Sequence, residues 1–347
     1  MIKKFFKEHS IHKSIVTYMD WLFVFNIPYF FILWMVFCWG MGAAYFNQGL
    51  ESTFYFQIKF SISELIFFIG LTLVLGGINI YNQSDELLHV LDWKKTDTGQ
   101  YKKQLNYLYV SPNFIHPNSL STIPLVFILI GLGLSLTFSF YSSVILIFYS
   151  LLNIFFYKYA IDILTVQNFA FRCFFVLINN LLLFLSGWIY FNHSDIFDIL
   201  IYIPLFFMAT LSILLINEII LCDKYSKKDS PHIAFIERYK VNIAAISLIL
   251  MIVLFISSNY IINNPDPITS HFSIIAIPFL IYAFLRSEEK DYIRSFNYPI
   301  MIMNILLSWT LFPFLFLAQF FIYYLSKYYY WHRFNIHFPK FAMDEND

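Results

Sequence analysis

Two short stretches gather the groups that bind metal ions and phosphate. GGINIYNQSDELLH, residues 76–89, closes a long apolar run with Asn79, Asn82, Gln83, Asp85, Glu86 and His89, and holds no Lys or Arg. LLINEIILCDKYSKKD, residues 214–229, does the same with Asn217, Glu218, Asp223 and Asp229, and adds Lys224, Lys227 and Lys228. Carboxylates and amides are hard oxygen ligands, suited to magnesium, which bridges one or two carboxylates to substrate phosphates. Lysines take up further phosphate charge as compact point charges, and Lys94, Lys95, Lys102 and Lys103 follow the first stretch. Singly, each stretch reads as capping and snorkelling at a helix end, where headgroups and water make polar groups cheap. Together they read as two rims that hold magnesium between them. A diphosphate with an apolar tail fits such a place, its headgroup at the rim and its tail among the helices.

The elements that must position these groups follow from composition. Hydrophobic residues are 59% of the 347, aromatics 22% and charged residues 13%, too little charge to cover a water-soluble globule of this size. A helix needs about 20 apolar residues to cross the hydrocarbon layer. Runs of that order fall at 21–46, 57–82, 121–138, 141–157, 165–190, 197–221, 240–262, 270–286 and 298–326. The expected fold is therefore all-α, a single polytopic membrane domain over 1–347. It is a bundle of about nine transmembrane helices around a central apolar cavity that opens to the cytoplasmic face. The weakest break is at Ser139–Ser142, although the 37 residues from 121 to 157 are too many for one crossing.

Orientation comes from Lys and Arg in the connections. Lys3, Lys4, Lys7 and Lys13 mark a cytoplasmic N-terminal segment, 1–20. Alternate loops then carry Lys94, Lys95, Lys102 and Lys103; Lys158; Lys224, Lys227, Lys228, Arg238 and Lys240; and Arg286, Lys290 and Arg294. The intervening loops near 47–56, 139–140, 191–196 and 263–269 contain neither. The tail, 327–347, falls outside on this count, with Lys327, Arg333 and Lys340 against the rule and Asp344, Glu345 and Asp347 partly offsetting them. Two cytoplasmic loops are long and polar, 83–120 and 222–239. The first apolar run is too long for a signal-peptide core and lacks a small-residue cleavage site, so the chain is expected to keep its N-terminus in the cytoplasmic (inner) membrane. Cys38, Cys173 and Cys222 show no ligand spacing and read as packing residues. A formal net charge of zero gives no field for nucleic acid, so none is expected as a partner.

At these residues the chain resembles the UbiA-type intramembrane prenyltransferase superfamily. Nine spans with acidic motifs after the second and sixth are similar to that family's plan. Its first motif, Asn-Asp/Gln-x-x-Asp-x-x-x-Asp, is matched by Asn82-Gln83 with Glu86 at the first Asp, while Val90 stands at the later one. A second region resembles the family in Tyr149-Ser150, Lys158, Asp162, Phe169, Arg172 and the triplet Ser186-Gly187-Trp188, with Asn153 and Phe155 where Pro and Arg are usual. Asn217-Glu218 opens the second acidic motif, Leu221 stands at its middle Asp, and Asp223-Lys224 matches its close only with about two residues missing. The Gly-rich turn is absent, and HRFNIHFP, 332–339, resembles family C-termini.

The resemblance implies transfer of an isoprenyl group from a prenyl diphosphate to an aromatic or other lipophilic acceptor, with magnesium as cofactor. It implies catalytic roles for Asn82, Glu86, Asn217, Glu218 and Asp223. Magnesium ligands would come from Asn79, Asn82, Asp85, Glu86, Glu218 and Asp223, and the diphosphate would meet Lys158, Arg172 and Lys224. Arg172 stands in the otherwise apolar NFAFRCFF. An intramembrane arginine marks either function or a buried ion pair. Asp162 at four residues from Lys158 reads equally as a helix-surface pair. Membrane lipids are the expected surroundings, with Tyr328, Tyr329, Tyr330 and Trp331 as an aromatic belt. Val90 and Leu221 are the features that favour the alternative, an inactive relative serving as a membrane scaffold or assembly partner. A secondary transporter ranks below both, because charge collects on one face and no internal repeat is visible.

Overall fold

The computed structural model describes residues 27–47, 62–93, 119–162, 169–191, 198–224, 231–260, 267–311, 315–321, 324–325 and 328. Side chains at several helix ends, among them 83–93, 158–162 and 223–224, lie outside that description. Every long element is an α-helix: α1 Ile27–Asn47, α2 Ile62–Trp93, α3 Ser119–Leu136, α4 Phe140–Asp162, α5 Phe169–Phe191, α6 Ile199–Lys224, α7 Pro231–Tyr260, α8 Pro267–Arg286 and α9 Glu289–Leu311. Six stretches among the described residues are long and apolar enough to cross a bilayer: Ile62–Asn82, Phe140–Tyr157, Phe171–Phe191, Ile199–Ile220, Ala234–Asn259 and Ile268–Arg286. A chain whose described residues are helical, with this many such spans, is a polytopic membrane protein, since a helix satisfies its own backbone groups within lipid.

Three boundaries differ from the sequence reading. The loop expected from 83 is helical as far as Trp93. Leucines and Glu86 are good helix formers, and the helix they extend is 32 residues, about 48 Å long and well beyond the hydrocarbon thickness. Asn82, Asp85 and Glu86 therefore stand on a projecting helix. The loop expected over 222–239 is helical from Pro231, a residue whose fixed φ and missing N–H suit the first helical position. The ninth span, expected over 298–326, begins earlier, as a helix over Glu289–Leu311, and 315–321 are helical as well.

The chain divides into two compact units. The first contains α2 and α3, which pack through glycines: a methyl group at Gly131 would sit 2.5 Å from the Gly70 carbonyl oxygen. Small residues let helix backbones meet where lipid supplies no hydrophobic drive between them. The second unit holds α1 from Ile32 onward and α4–α9. Each of α4–α9 packs on the next, and α6 also touches α8 and α9. Its centre is aromatic. Trp39 of α1 lies edge-on to Phe206 of α6, tilts against Phe272 of α8, and donates Nε1–H to Thr269 at 3.2 Å.

Paired serines fasten neighbouring helices of this unit. Ser142 and Ser186 join α4 to α5 with hydroxyls 2.7 Å apart, and each also donates to the other's carbonyl, at 2.9 and 3.2 Å. Ser212 and Ser247 repeat the arrangement between α6 and α7 at 2.8 Å. All four are fully buried. Each hydroxyl is small enough to keep the helices close, and its polar atoms find partners.

Candidate functional site

Helix α5 carries polar residues seven positions apart at Arg172, Asn179 and Ser186. Seven residues are nearly two turns, so the three share one face. Ser186 clasps α4, as above. Asn179 meets Asn153 of α4, whose Nδ2 donates to Asn179 Oδ1 at 2.8 Å and to the Tyr149 carbonyl at 2.9 Å. Arg172, in the first turn of α5, reaches α6 and donates Nη2–H to Glu218 Oε2. Glu218 is buried, its side chain 3% exposed, while that of Arg172 is 19% exposed.

This pair sits where the chemistry of a headgroup begins. Arg172 is the second residue of the span Phe171–Phe191, and Glu218 lies two residues before the end of Ile199–Ile220. The start of α5 and the end of α6 meet here. An α-helix presents unsatisfied N–H groups at its start and unsatisfied C=O groups at its end, so the fields of both termini favour a carboxylate beside α5 and a guanidinium beside α6. Asn217, next to Glu218, is half-buried.

The remaining sequence candidates are distributed as follows. Asn79 and Asn82 lie on α2 in the first unit; Asn79 is buried, and Asn82 Oδ1 is buried without a hydrogen-bond partner among the described residues. Positions 79, 82 and 86 follow helical spacing along α2, as does 85 from 82. Asp85 and Glu86 on α2, Lys158 and Asp162 on α4, and Asp223 and Lys224 on α6 have helical backbones, but their side chains lie outside the described residues. Val90 belongs with them, while Leu221 is the α6 residue just past the Glu218 turn. Among the described residues no three or more His, Cys, Asp or Glu side chains come together to hold a metal. The carboxylate of Glu218 faces a guanidinium instead. The structure thus brings Arg172 and Glu218 together, and about two turns further along α5 it pairs Asn179 with Asn153, which the sequence did not single out as a site. Their signal was present in the spacing of 172, 179 and 186.

Among the motif-like residues of α4 and α5, Tyr149, Ser150 and the triplet 186–188 are packing devices. Tyr149 and Ser150 are buried, and Ser150 hydrogen-bonds back to the Leu146 carbonyl at 2.7 Å. In the triplet Ser186-Gly187-Trp188, the serine clasps α4. A methyl group at Gly187 would overlap the Phe37 carbonyl of α1, and Trp188 packs 5.0 Å from Tyr202 of α6. Gly40 of α1 answers Gly187 against the Phe184 carbonyl, and Phe184 stacks on Phe206 at 4.5 Å. These contacts fix the depth of α5, and hence of Arg172, against α1, α4 and α6.

A second charge cluster lies at the turn between α8 and α9. Asp291 accepts from Arg294 at 3.4 Å and pairs with Arg286 at 3.4 Å, while Glu288 pairs with Lys290 at 2.8 Å and Arg286 at 3.2 Å. Ser287 turns the chain in the left-handed region at φ 52°. Hydrogen bonding from Lys290 holds the Glu288 carboxyl below the usual carboxylate range; the Arg286 and Lys290 charges add to this and desolvation opposes it.

With this arrangement in hand, the fold can be compared with solved ones. One solved structure, of a digeranylgeranylglyceryl phosphate synthase in membranes, superposes with a TM-score of 0.52 over 84% of this chain and 96% of the other. The two chains share a fold. Sequence identity is 13%, so the likeness is one of architecture. No protein-family model and no curated protein sequence matches the chain.

Proposed function

We propose that the protein transfers an isoprenyl group from a prenyl diphosphate to an aromatic or other lipophilic acceptor within the membrane. The observation that carries the reading is Arg172, a guanidinium set at the ends of two membrane-length helices by a buried carboxylate. The fold shared with a digeranylgeranylglyceryl phosphate synthase in membranes supports it. In the reaction the allylic C–O bond breaks and its electron pair leaves with the diphosphate. The cationic prenyl carbon is then attacked by an electron pair of the acceptor, which forms the new bond and loses a proton. Negative charge grows on the diphosphate oxygens, and fixed donors aimed at that position lower the barrier. Arg172, Lys158 and Lys224 take this role. An apolar cavity opening to the cytoplasmic face excludes water from the cation, and ring faces stabilise it.

Magnesium, when bound, neutralises the leaving diphosphate. The residues that would hold it are Asn79, Asn82, Asp85 and Glu86 of α2 and Asp223 of α6, the helix that also carries Asn217. Glu218 fits less well, since its carboxylate already accepts from Arg172. The alternation of Lys and Arg among the connections supports a cytoplasmic N-terminus in the inner membrane. The same commitment of Glu218, with Val90 and Leu221, favours the second reading, a scaffold without chemistry. Incubating the protein in lipid nanodiscs with geranylgeranyl diphosphate, magnesium and a total lipid extract separates them. Release of diphosphate with a prenylated lipid in the mass spectrum supports transfer; intact substrate with every acceptor fraction supports the scaffold.

A further inference from the structure

We infer that Glu218 is the selectivity residue of the Arg172 anion site: it keeps singly charged lipid headgroups off the guanidinium and yields to a more highly charged one such as a diphosphate. The inference rests on the proposed prenyl-diphosphate reading and gives that site its means of refusing the wrong anion. Arg172 is the second residue of a span long and apolar enough to cross a bilayer, which puts it near the headgroup edge of the hydrocarbon layer. A bilayer presents phosphodiester headgroups there in great excess over any soluble or prenylated diphosphate. A bare guanidinium at that depth would be saturated by them, because arginine is a bidentate phosphate binder.

Glu218 changes that competition. Its side chain is buried and already hydrogen-bonded to Arg172 Nη2, so it acts as a tethered competitor present at high effective concentration. A phosphodiester carries one negative charge, as Glu218 does. Its entry exchanges one charge-assisted hydrogen bond for another and leaves a buried carboxylate without its cation, which is costly. A diphosphate brings more charge and more acceptor oxygens to the same guanidinium and to the N–H groups of the first turn of α5, which face an anion favourably. Arg172 remains 19% exposed and within reach of such a ligand, whereas Glu218 is almost closed to solvent. Rejection through a repulsive group is a general route to specificity.

The test compares wild type, Glu218→Gln, Glu218→Asp, Arg172→Gln and the Arg172→Gln/Glu218→Gln double variant. Each is purified in detergent, checked for a single size-exclusion peak, and titrated at fixed magnesium with geranyl diphosphate and with short-chain phosphatidylglycerol. Glu218→Gln keeps the shape and a hydrogen-bond acceptor but removes the charge. It should bind phosphatidylglycerol about tenfold more tightly than wild type, the change expected from about 1.4 kcal/mol. Its preference for the diphosphate should fall by the same factor. Glu218→Asp withdraws the charge by one methylene and should fall between the two, which keeps the test available if the glutamine variant fails to fold. The gain should vanish in the double variant, because it depends on Arg172.

Unchanged phosphatidylglycerol affinity in both Glu218 variants overturns the inference. So does loss of geranyl diphosphate binding without that gain, the behaviour of a metal ligand. Wild type that binds geranyl diphosphate alongside either result leaves the transferase reading standing. Wild type that ignores geranyl diphosphate, with Glu218→Gln capturing phosphatidylglycerol, keeps the exclusion of singly charged headgroups but overturns both the yielding to a diphosphate and the transferase reading.

Discussion

Glu218 and Asp291 are equally buried carboxylates, each with a side chain 3% exposed and each paired with arginine. Their partners differ. Asp291 lies between Arg286 and Arg294, 46% and 48% exposed, across a tight turn between consecutive helices. Glu218 meets Arg172, 19% exposed and 46 residues away in sequence. The first arrangement has the form of a turn lock. Its arginines reach water on their outer sides, and both Asp291 contacts are long, so solvent screens them and they are individually weak. The second removes both charges further from water, at the place where two helix ends leave the hydrocarbon. A buried pair is weak evidence for stability in its own right, because desolvation offsets much of its attraction. In a chain that is only 13% charged, the proposed anion site gives this pair a role beyond support.

The largest effect expected from breaking this contrast is at Glu218. Glu218→Ala leaves a guanidinium without its carboxylate and should cost about 3–5 kcal/mol, whereas Arg172→Leu/Glu218→Leu together should be close to neutral. Thermal unfolding in detergent checks both, and equal losses in the single and double variants would erase the distinction. Next comes the helix that carries Arg172. Gly187→Ala places a methyl group on the Phe37 carbonyl and should cost about 1–3 kcal/mol as overpacking. Because α5 must shift to relieve it, diphosphate binding should weaken as well, while a packing defect confined to α1 would lower only the melting temperature. Asp291→Asn should cost about 1 kcal/mol, near the value of a single partly solvated hydrogen bond, and leave binding unchanged.

Smallest is the pH dependence of the turn. The Glu288 carboxyl titrates below its ordinary range, so its contribution is present above the unfolded-state pKa and is lost as pH falls through the lower folded-state value. Carboxyl NMR titration should show Glu288 moving upward toward the ordinary range in Lys290→Ala. No movement would mean that Lys290 does not hold it.

The sequence made much of the architecture legible and little of the pairing. Apolar runs located, among the nine spans expected, the six that the described residues carry, because crossing a bilayer constrains length and composition locally. The ends were misplaced where polar residues continue a helix, as at 83–93 and 231–239, since loss of hydrophobicity marks the edge of the lipid and not the end of the hydrogen-bond ladder. Arg172 was legible as an intramembrane arginine with two open meanings. That its partner is Glu218 was not, because the contact joins separate helices and leaves no trace in local spacing. The triplet at 186–188 drew attention through its resemblance to a family motif and proved to be the seat of α5 against three neighbours.

The measurement that bears most directly on the central claim is the affinity of the purified protein for geranylgeranyl diphosphate with and without magnesium, in wild type and in Arg172→Gln. Loss of one charge-assisted contact of about 1.5–3 kcal/mol predicts at least tenfold weaker binding in the variant. Wild-type binding that needs magnesium and falls by that factor places the headgroup on Arg172. Equal affinity in the two proteins, or no binding by folded wild type, contradicts the account.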